Sequence, residues 1–239
     1  MTRELTILHL YPREMNLYGD HGNVLTLKRR CEWRGIKANI EAYEPGDKFP
    51  CEADLIFGGG GQDSGQSVIE DDLQKNAQAL RSLVDGGTPT LVICGLYQLF
   101  GRFFKTHEGE IIPGIGILDI ETIAGDKRLI GNIVCESSEF GEIVGYENHS
   151  GQTFLDKGVE PLAKVVRGAG NNGKDGTEGT RYKNTIGSYF HGPVLPKNPR
   201  LADFLIGKAL DAKYGFGELE PLDDTFENMA HRSSAEQPR

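Results

Sequence analysis

Four short apolar runs, spaced so that helices fit between them, restrict the fold of this 239-residue chain more than any other feature. They are Leu5 to Leu10 (LTILHL), Ala38 to Tyr43, Ala53 to Phe57 (ADLIF) and Thr90 to Ile93 (TLVI). Each has the length and apolar content of a buried strand. Between the first two, Asn23 is placed to cap a helix whose Val24, Leu27 and Cys31 share a face, and Gly35 stops it. From Ser67 to Val84, Ile69, Leu73, Ala77, Leu80 and Val84 recur at spacings of 3 to 4, and Gly86-Gly87 ends that helix. Such alternation predicts an α/β fold, a mostly parallel sheet with helices on both faces. The length suits one such domain.

After Gly101 the pattern changes to short β-type pieces, IIPGIGILDIET, RLIGNIVCES and GEIVGYENHS, broken by Gly or Pro. They read as an antiparallel extension that makes the central sheet mixed. The Gly-rich, polar residues 168–180 read as a mobile surface loop. A strand ending at His191 and a helix from about Pro199 to Lys213 close a domain over residues 1–215. Residues 216–239 form a polar C-terminal tail, expected to be frayed or bound to a partner.

Composition removes several classes of function. Lys plus Arg number 26 against 35 Asp plus Glu, a net charge of −9, so the chain lacks the basic footprint that nucleic acid requires. The N-terminus has no apolar signal region and no run approaches the ~18 apolar residues of a membrane span, which predicts a cytoplasmic protein. Cys31, Cys51, Cys94 and Cys135 form no C-x-x-C pair and read as four separate thiols. No metal and no cofactor is expected.

The most informative segment is Thr90-Leu-Val-Ile-Cys94-Gly95-Leu-Tyr-Gln98-Leu-Phe-Gly101. A buried strand runs into Cys94, Gly95 permits a sharp turn, and a helical stretch follows, so the thiol stands at the carboxyl end of the sheet beside a helix N-terminus. That is the setting of a nucleophile, although a buried structural cysteine fits the same pattern. A nucleophilic cysteine needs a base. His191 ends the run Thr185-Ile-Gly-Ser-Tyr-Phe-His191 and is followed by Gly192-Pro193; His149, in Tyr146-Glu-Asn-His149, is the alternative. The glycines of Phe57-Gly58-Gly59-Gly60-Gly61 follow a strand without the Lys-Ser/Thr of a P-loop, and their backbone amides suit an oxyanion hole. A formal G-x-G-x-x-G at Gly168, Gly170 and Gly173 is followed by polar loop instead of helix, so dinucleotide binding is not expected.

Cys94-Gly95-Leu96-Tyr97-Gln98 followed by Gly101 resembles the nucleophile segment of class I glutamine amidotransferases, in particular the cobyric acid synthase type. Tyr146-Glu147-Asn148-His149 and Ser188-Tyr189-Phe190-His191-Gly192 resemble the later signatures of that branch. The opening Leu17-Tyr18-Gly19-Asp20-His21-Gly22-Asn23 and the run from His191 to Asn198 are similar to the glutaminase subunits of lipid II isoglutaminyl synthases. The resemblance implies a three-layer class I amidotransferase fold, Cys94 as nucleophile and His191 as base. It further implies that Gln98 helps hold the substrate, that the Gly60-Gly61 backbone and the Gly95 amide form the oxyanion hole, and that Arg128 guides glutamine by its carboxylate. The implied partner is a Mur-ligase-like, ATP-binding synthase subunit in a heterodimer, which receives ammonia and amidates the D-glutamate of lipid II. Two alternatives stay open: the glutaminase part of a cobyric or cobyrinic acid amidation system, and a non-catalytic interaction subunit. One departure stands out. Class I enzymes continue the histidine as His-Pro-Glu, whereas His191 is followed by Gly-Pro-Val. The orienting carboxylate is therefore expected from the partner, or the pair acts as a dyad.

Overall fold

The computed structural model of the chain describes residues 3–238. Its first half runs β1 (Glu4–Leu10), α1 (His21–Glu32), β2 (Lys37–Tyr43), β3 (Leu55–Gly58), α2 (Asp63–Asp85), β4 (Thr90–Ile93) and α3 (Gly95–Phe100). Then follow β5 (Phe103–Lys105), β6 (Ile111–Pro113), β7 (Ile120–Ser137), β8 (Gly141–Leu155), β9 (Ala163–Arg167) and β10 (Thr177–Glu178). The chain ends with β11 (Thr180–Tyr182), β12 (Thr185–Ser188), α4 (Pro199–Tyr214) and α5 (Thr225–Glu236).

The central sheet has the order β11-β12-β4-β3-β1-β2 and is parallel except at its β11 edge. Every residue of β3, β4 and β12 is buried, as expected of strands with helices over both faces. The path explains where a ligand can bind. From β1 the chain moves through α1 to β2 on one side, then returns to β3 on the other and continues outward through α2 to β4. Right-handed crossovers in opposite directions put α1 and α2 on opposite faces, and the strand ends between β1 and β3 open a crevice. The loops leaving β1 and β3 flank it.

Several expectations are corrected. The antiparallel pieces do not extend the central sheet; they form a second one, β10-β9-β7-β5-β6, with β8 paired to β7. β7 pairs along its length with the 15-residue β8 and also with β5 and β9, so its hydrogen-bonding edges are occupied within its own sheet. The two sheets meet at an isolated antiparallel bridge between Tyr146 and His191. Asn23 is not a helix cap: α1 starts at His21, and buried Asn23 accepts the Leu195 amide at 2.9 Å.

The stretch 168–180 is not a solvated loop. Asn171, Asn172, Glu178 and Thr180 are buried, and the carboxylate of buried Glu147 receives the amides of Ala169 and Gly170. At Gly170 φ is +68° and an added Cβ would run into the Thr177 carbonyl, so only glycine lets the turn close over these polar groups.

Nor is the C-terminal tail frayed. Residues 225–236 are helical, and the preceding Asp224 is held by Arg30 of α1. The Arg30 guanidinium, 1% exposed, binds Asp203 of α4 through Nε and Nη2 and Asp224 through Nη1 at 2.6 Å. Two carboxylates and forked geometry offset the burial of its charge. Arg30→Ala leaves Asp224 without this cation and should destabilise the chain by on the order of 3 kcal/mol, read as a lower urea midpoint. An unchanged midpoint would show that the network contributes no net stability.

Candidate active site

At the end of β4 the chain turns on Cys94, whose backbone has φ 49° and ψ −102°. A non-glycine residue adopts such a conformation only when its surroundings hold it there, at a cost of about 1–3 kcal/mol. Here the Cys94 amide donates to Ser188 O of β12 at 2.9 Å, clamping the elbow to the neighbouring strand. The next residue has to be glycine, because a Cβ on Gly95 would lie 2.8–2.9 Å from Met15 Cε, Gln66 Nε2 and Gly61 N. Cys94 as a whole is 6% exposed.

β12 runs beside β4, and three residues beyond its end the backbone of His191 exchanges hydrogen bonds with Tyr146, at 2.7 and 3.2 Å. The imidazole thereby reaches the elbow, though 97 residues separate the two in sequence. A Cβ on Gly60 would lie 2.7 Å from His191 Cε1, 3.1 Å from Cys94 Cβ and 3.2 Å from Asp20 Oδ2, so all three side chains converge on that α-carbon. His191 is fully buried, and among the described residues neither ring nitrogen has a hydrogen-bond partner. Burial alone would lower its pKa, but the adjoining Cys94 and the Asp20 carboxylate outweigh that and raise it to about 10. The ring is therefore an imidazolium at neutral pH.

Asp20 is the site residue that the sequence reading missed. Its Oδ2 lies 3.7 Å from His191 Nδ1 and accepts the Gly60 amide at 2.7 Å, and its side chain is completely buried. A carboxylate of this chain thus stands where none followed His191 in sequence. The signal was an aspartate in the loop leaving the first strand, directly before α1. The Gly60 amide is committed to Asp20, whereas the Gly61 amide faces the Gly95 α-carbon and donates to no backbone carbonyl.

A cleft of about 350 Å³ opens beside Cys94, within the range of small-molecule sites. Gly61, Gln98, Arg128 and His149 line it. Arg128 stands in the register break of the β7–β8 pair between Ala124 and Leu129, a bulge that re-aims the side chain. Its Nε donates to Asn148 Oδ1 at 2.6 Å, Asn148 Nδ2 donates to Tyr18 OH at 2.6 Å, and the Tyr18 ring meets His191 edge-on at 5.0 Å. Among the described residues no carboxylate pairs with Arg128.

Gln98 lines the cleft with its amide already engaged: Oε1 accepts from Gln66 and Nε2 donates to Tyr189 OH. His149 is buried and stacks on Tyr189 at 3.6 Å, and its Nδ1–H donates to Gly151 O. Burial, with His191 nearby, pushes its pKa down to about 3 despite the carbonyl contact. With its basicity so depressed and no carboxylate beside it, His149 is a poorer candidate for the base than His191.

The family described as the CobB/CobQ-like glutamine amidotransferase domain matches residues 6–199. This chain belongs to that family. It is 44% identical over 211 residues to the GatD subunit of lipid II isoglutaminyl synthase (glutamine-hydrolysing) from Staphylococcus aureus, covering 88% of this chain and 86% of the relative. The Streptococcus pneumoniae subunit of the same name is 41% identical over 215 residues, covering 89% and 83%. A probable cobyric acid synthase of Methanothermobacter thermautotrophicus is 30% identical over 202 residues, 78% of this chain but 39% of that protein. These relatives agree with the resemblance drawn from the motifs.

Two solved structures share the amidotransferase's fold at 15% identity. One is a chain in the structure of PurLQS from Thermotoga maritima (TM-score 0.58, 86% of this chain and 98% of that one). The other is a glutamine amidotransferase from the same organism (TM-score 0.55, 97% and 92%). The expected class I amidotransferase fold is the one observed.

The four thiols differ enough for a direct test. Burial pushes Cys31 up to about 12 and raises Cys135 further, while Cys51 is exposed. A glutamine-analogue alkylator at low concentration should label Cys94 alone, whereas a small general alkylator should also reach Cys51. Peptide mapping reads both, and equal labelling of Cys51 and Cys94 by the analogue would remove Cys94 from the site.

Proposed function

We propose that this chain is the glutamine-hydrolysing subunit of a lipid II isoglutaminyl synthase. The observation that carries the reading is the convergence of Cys94, His191 and Asp20 on the α-carbon of Gly60, beside a cleft that Cys94 and Arg128 both line. The match over most of the length of two subunits with that name supports the substrate assignment.

Glutamine enters with its α-carboxylate on Arg128 and its side-chain amide at Cys94. The Cys94 sulfur attacks the carboxamide carbon, and the oxygen's developing charge is met by the Gly95 and Gly61 amides. His191 gives its proton to the departing nitrogen, so ammonia leaves and a glutamyl thioester remains. Water then attacks the thioester with His191 taking its proton, and glutamate and the thiol are released. The net reaction is glutamine plus water to glutamate plus ammonia. Gln98, whose amide is tied to Gln66 and Tyr189, acts by shaping the wall against which the substrate lies.

Ammonia is useful only where it is consumed. The two GatD relatives belong to a synthase of more than one subunit, and the ATP-dependent step is assigned to the partner. That partner is a Mur-ligase-like, ATP-binding subunit that activates the D-glutamate carboxyl of lipid II, and together they form a cytoplasmic heterodimer. No helix among the described residues is long and apolar enough to cross a membrane, in keeping with action on the cytoplasmic side. A cobyric or cobyrinic acid role is the weaker reading, because the cobyric acid synthase relative is 30% identical where the two GatD subunits are 44% and 41% identical. An intact cleft and an elbow strained at Cys94 argue against a purely structural subunit.

Two experiments bear on this. Arg128→Ala should raise the KM for glutamine on the order of 10- to 100-fold while kcat changes little, since a remote carboxylate clamp serves ground and transition states alike and hydrogen bonds to charged groups are worth about 1.5–3 kcal/mol. A collapse of kcat at constant KM would assign Arg128 a different task. Purification of the tagged chain from its native host should bring down an ATP-binding, Mur-ligase-like protein in equimolar amount. Recovery of a cobyrinic acid amidation enzyme instead would overturn the assignment.

A further inference from the structure

We infer that His149 is a specificity-determining residue of the glutamine site, where its Nε2 accepts a hydrogen bond from the substrate's α-ammonium group. This rests on the glutaminase reading and supplies a partner for the substrate group that Cys94 and Arg128 leave unmet. His149 lines the cleft together with Cys94 and is 2% exposed. Its Nδ1 lies 2.6 Å from the Gly151 carbonyl oxygen. A carbonyl only accepts, so Nδ1 carries the hydrogen, and in the neutral ring that burial enforces Nε2 is left as a bare acceptor. Among the described residues this buried Nε2 has no hydrogen-bond partner. An unpaired buried polar atom is costly, and a ligand that donates to it removes that cost.

Chemistry and position both select the α-ammonium. A free amino acid brings a cation with N–H donors as well as a carboxylate, yet among the described residues no Asp or Glu lines the cleft, so neutral acceptors have to meet that cation. Asn148 Oδ1 is taken by Arg128, Gln98 Oε1 by Gln66 and the Gly151 carbonyl by His149 itself. His149 stands opposite Leu129 in the β7–β8 pair, and Leu129 directly follows Arg128. After burial and His191, the Arg128 guanidinium adds to what keeps the His149 ring uncharged. An α-carboxylate held by Arg128 carries its ammonium, one carbon away, into the same neighbourhood. The stack on Tyr189 at 3.6 Å fixes the ring before substrate arrives. Three attachments, the carboxamide at Cys94, the carboxylate at Arg128 and the ammonium at His149, define the hand of the α-carbon, because the mirror-image amino acid makes only two of them at once.

The test compares the full chain, purified from its native host, as wild type, His149→Phe and His149→Gln. Substrates are L-glutamine, D-glutamine and glutaramate, which is glutamine without its α-amino group, and ammonia release is the readout. His149→Phe retains a ring for Tyr189 and removes the acceptor, whereas His149→Gln restores one. In His149→Phe, kcat/KM for L-glutamine should fall on the order of 10- to 100-fold, mostly through KM, while that for glutaramate changes by less than about 2-fold and the preference for L- over D-glutamine shrinks. His149→Gln should recover part of both the rate and the preference. An equal loss on L-glutamine and glutaramate would overturn the inference, since it would assign His149 a structural role or a contact to the carboxamide. Should His149→Phe not fold, NMR of ring-labelled histidine in Cys94→Ala decides. Saturating L-glutamine should shift the His149 Nε2 signal and saturating glutaramate should not; a signal that L-glutamine leaves unmoved overturns the inference. Wild type that releases no ammonia from L-glutamine would instead count against the glutaminase reading, and the Nε2 signal would still decide the role of His149.

Discussion

There is no room for a β-carbon at Gly60, and most of the site's architecture follows from that. Three side chains from three distant parts of the chain, Asp20, Cys94 and His191, occupy the volume a side chain would need. Each is delivered by a different structural device: the start of α1, a strained elbow after β4, and a bridge that pins the backbone beyond β12 to Tyr146. The parallel sheet makes this meeting possible, because its strand order reverses between β1 and β3 and the loops there diverge around a crevice. Polar groups that would be costly to bury singly are stable here as a set, with the imidazolium flanked by a carboxylate and a sulfur.

The second sheet supplies the other wall. The β7–β8 hairpin is long enough to reach over the crevice and carries Arg128 on a register break and His149 opposite it. Its placement depends on buried polar anchors as much as on apolar packing. Glu147, next in sequence to Asn148 and His149, takes the amides of the 168–180 segment, and Tyr146 before it holds His191. The wall that carries Arg128 and the strand end that presents His191 are therefore joined through four consecutive residues of β8.

Much of the fold was legible in the sequence, because periodicity reports which face of an element is buried. All four runs became strands within a residue or two, and Thr90–Ile93 coincides with β4. The elbow at Cys94 was legible for a different reason. A cysteine that must adopt a positive φ and be followed by a residue without a side chain leaves a local mark, Cys94-Gly95 after an apolar strand. What misled was polarity taken as disorder. Residues 168–180 and 216–238 are polar, yet the first is folded over Glu147, Asn171 and Glu178, and the second is held by Arg30 and by Arg167 Nη2 on the Ala235 carbonyl.

By itself the sequence determined the α/β alternation, the elbow at Cys94, the family resemblance and the acidic surface, all properties that neighbouring residues express through short-range sterics and burial. Tertiary structure alone decided that the antiparallel strands form a separate sheet, that His191 and not His149 faces Cys94 beside a carboxylate, and that this carboxylate is Asp20. Those outcomes depend on which strand edges remain free to pair and which buried charges find partners. Both are settled by contacts between residues tens to more than a hundred positions apart, which no local pattern encodes.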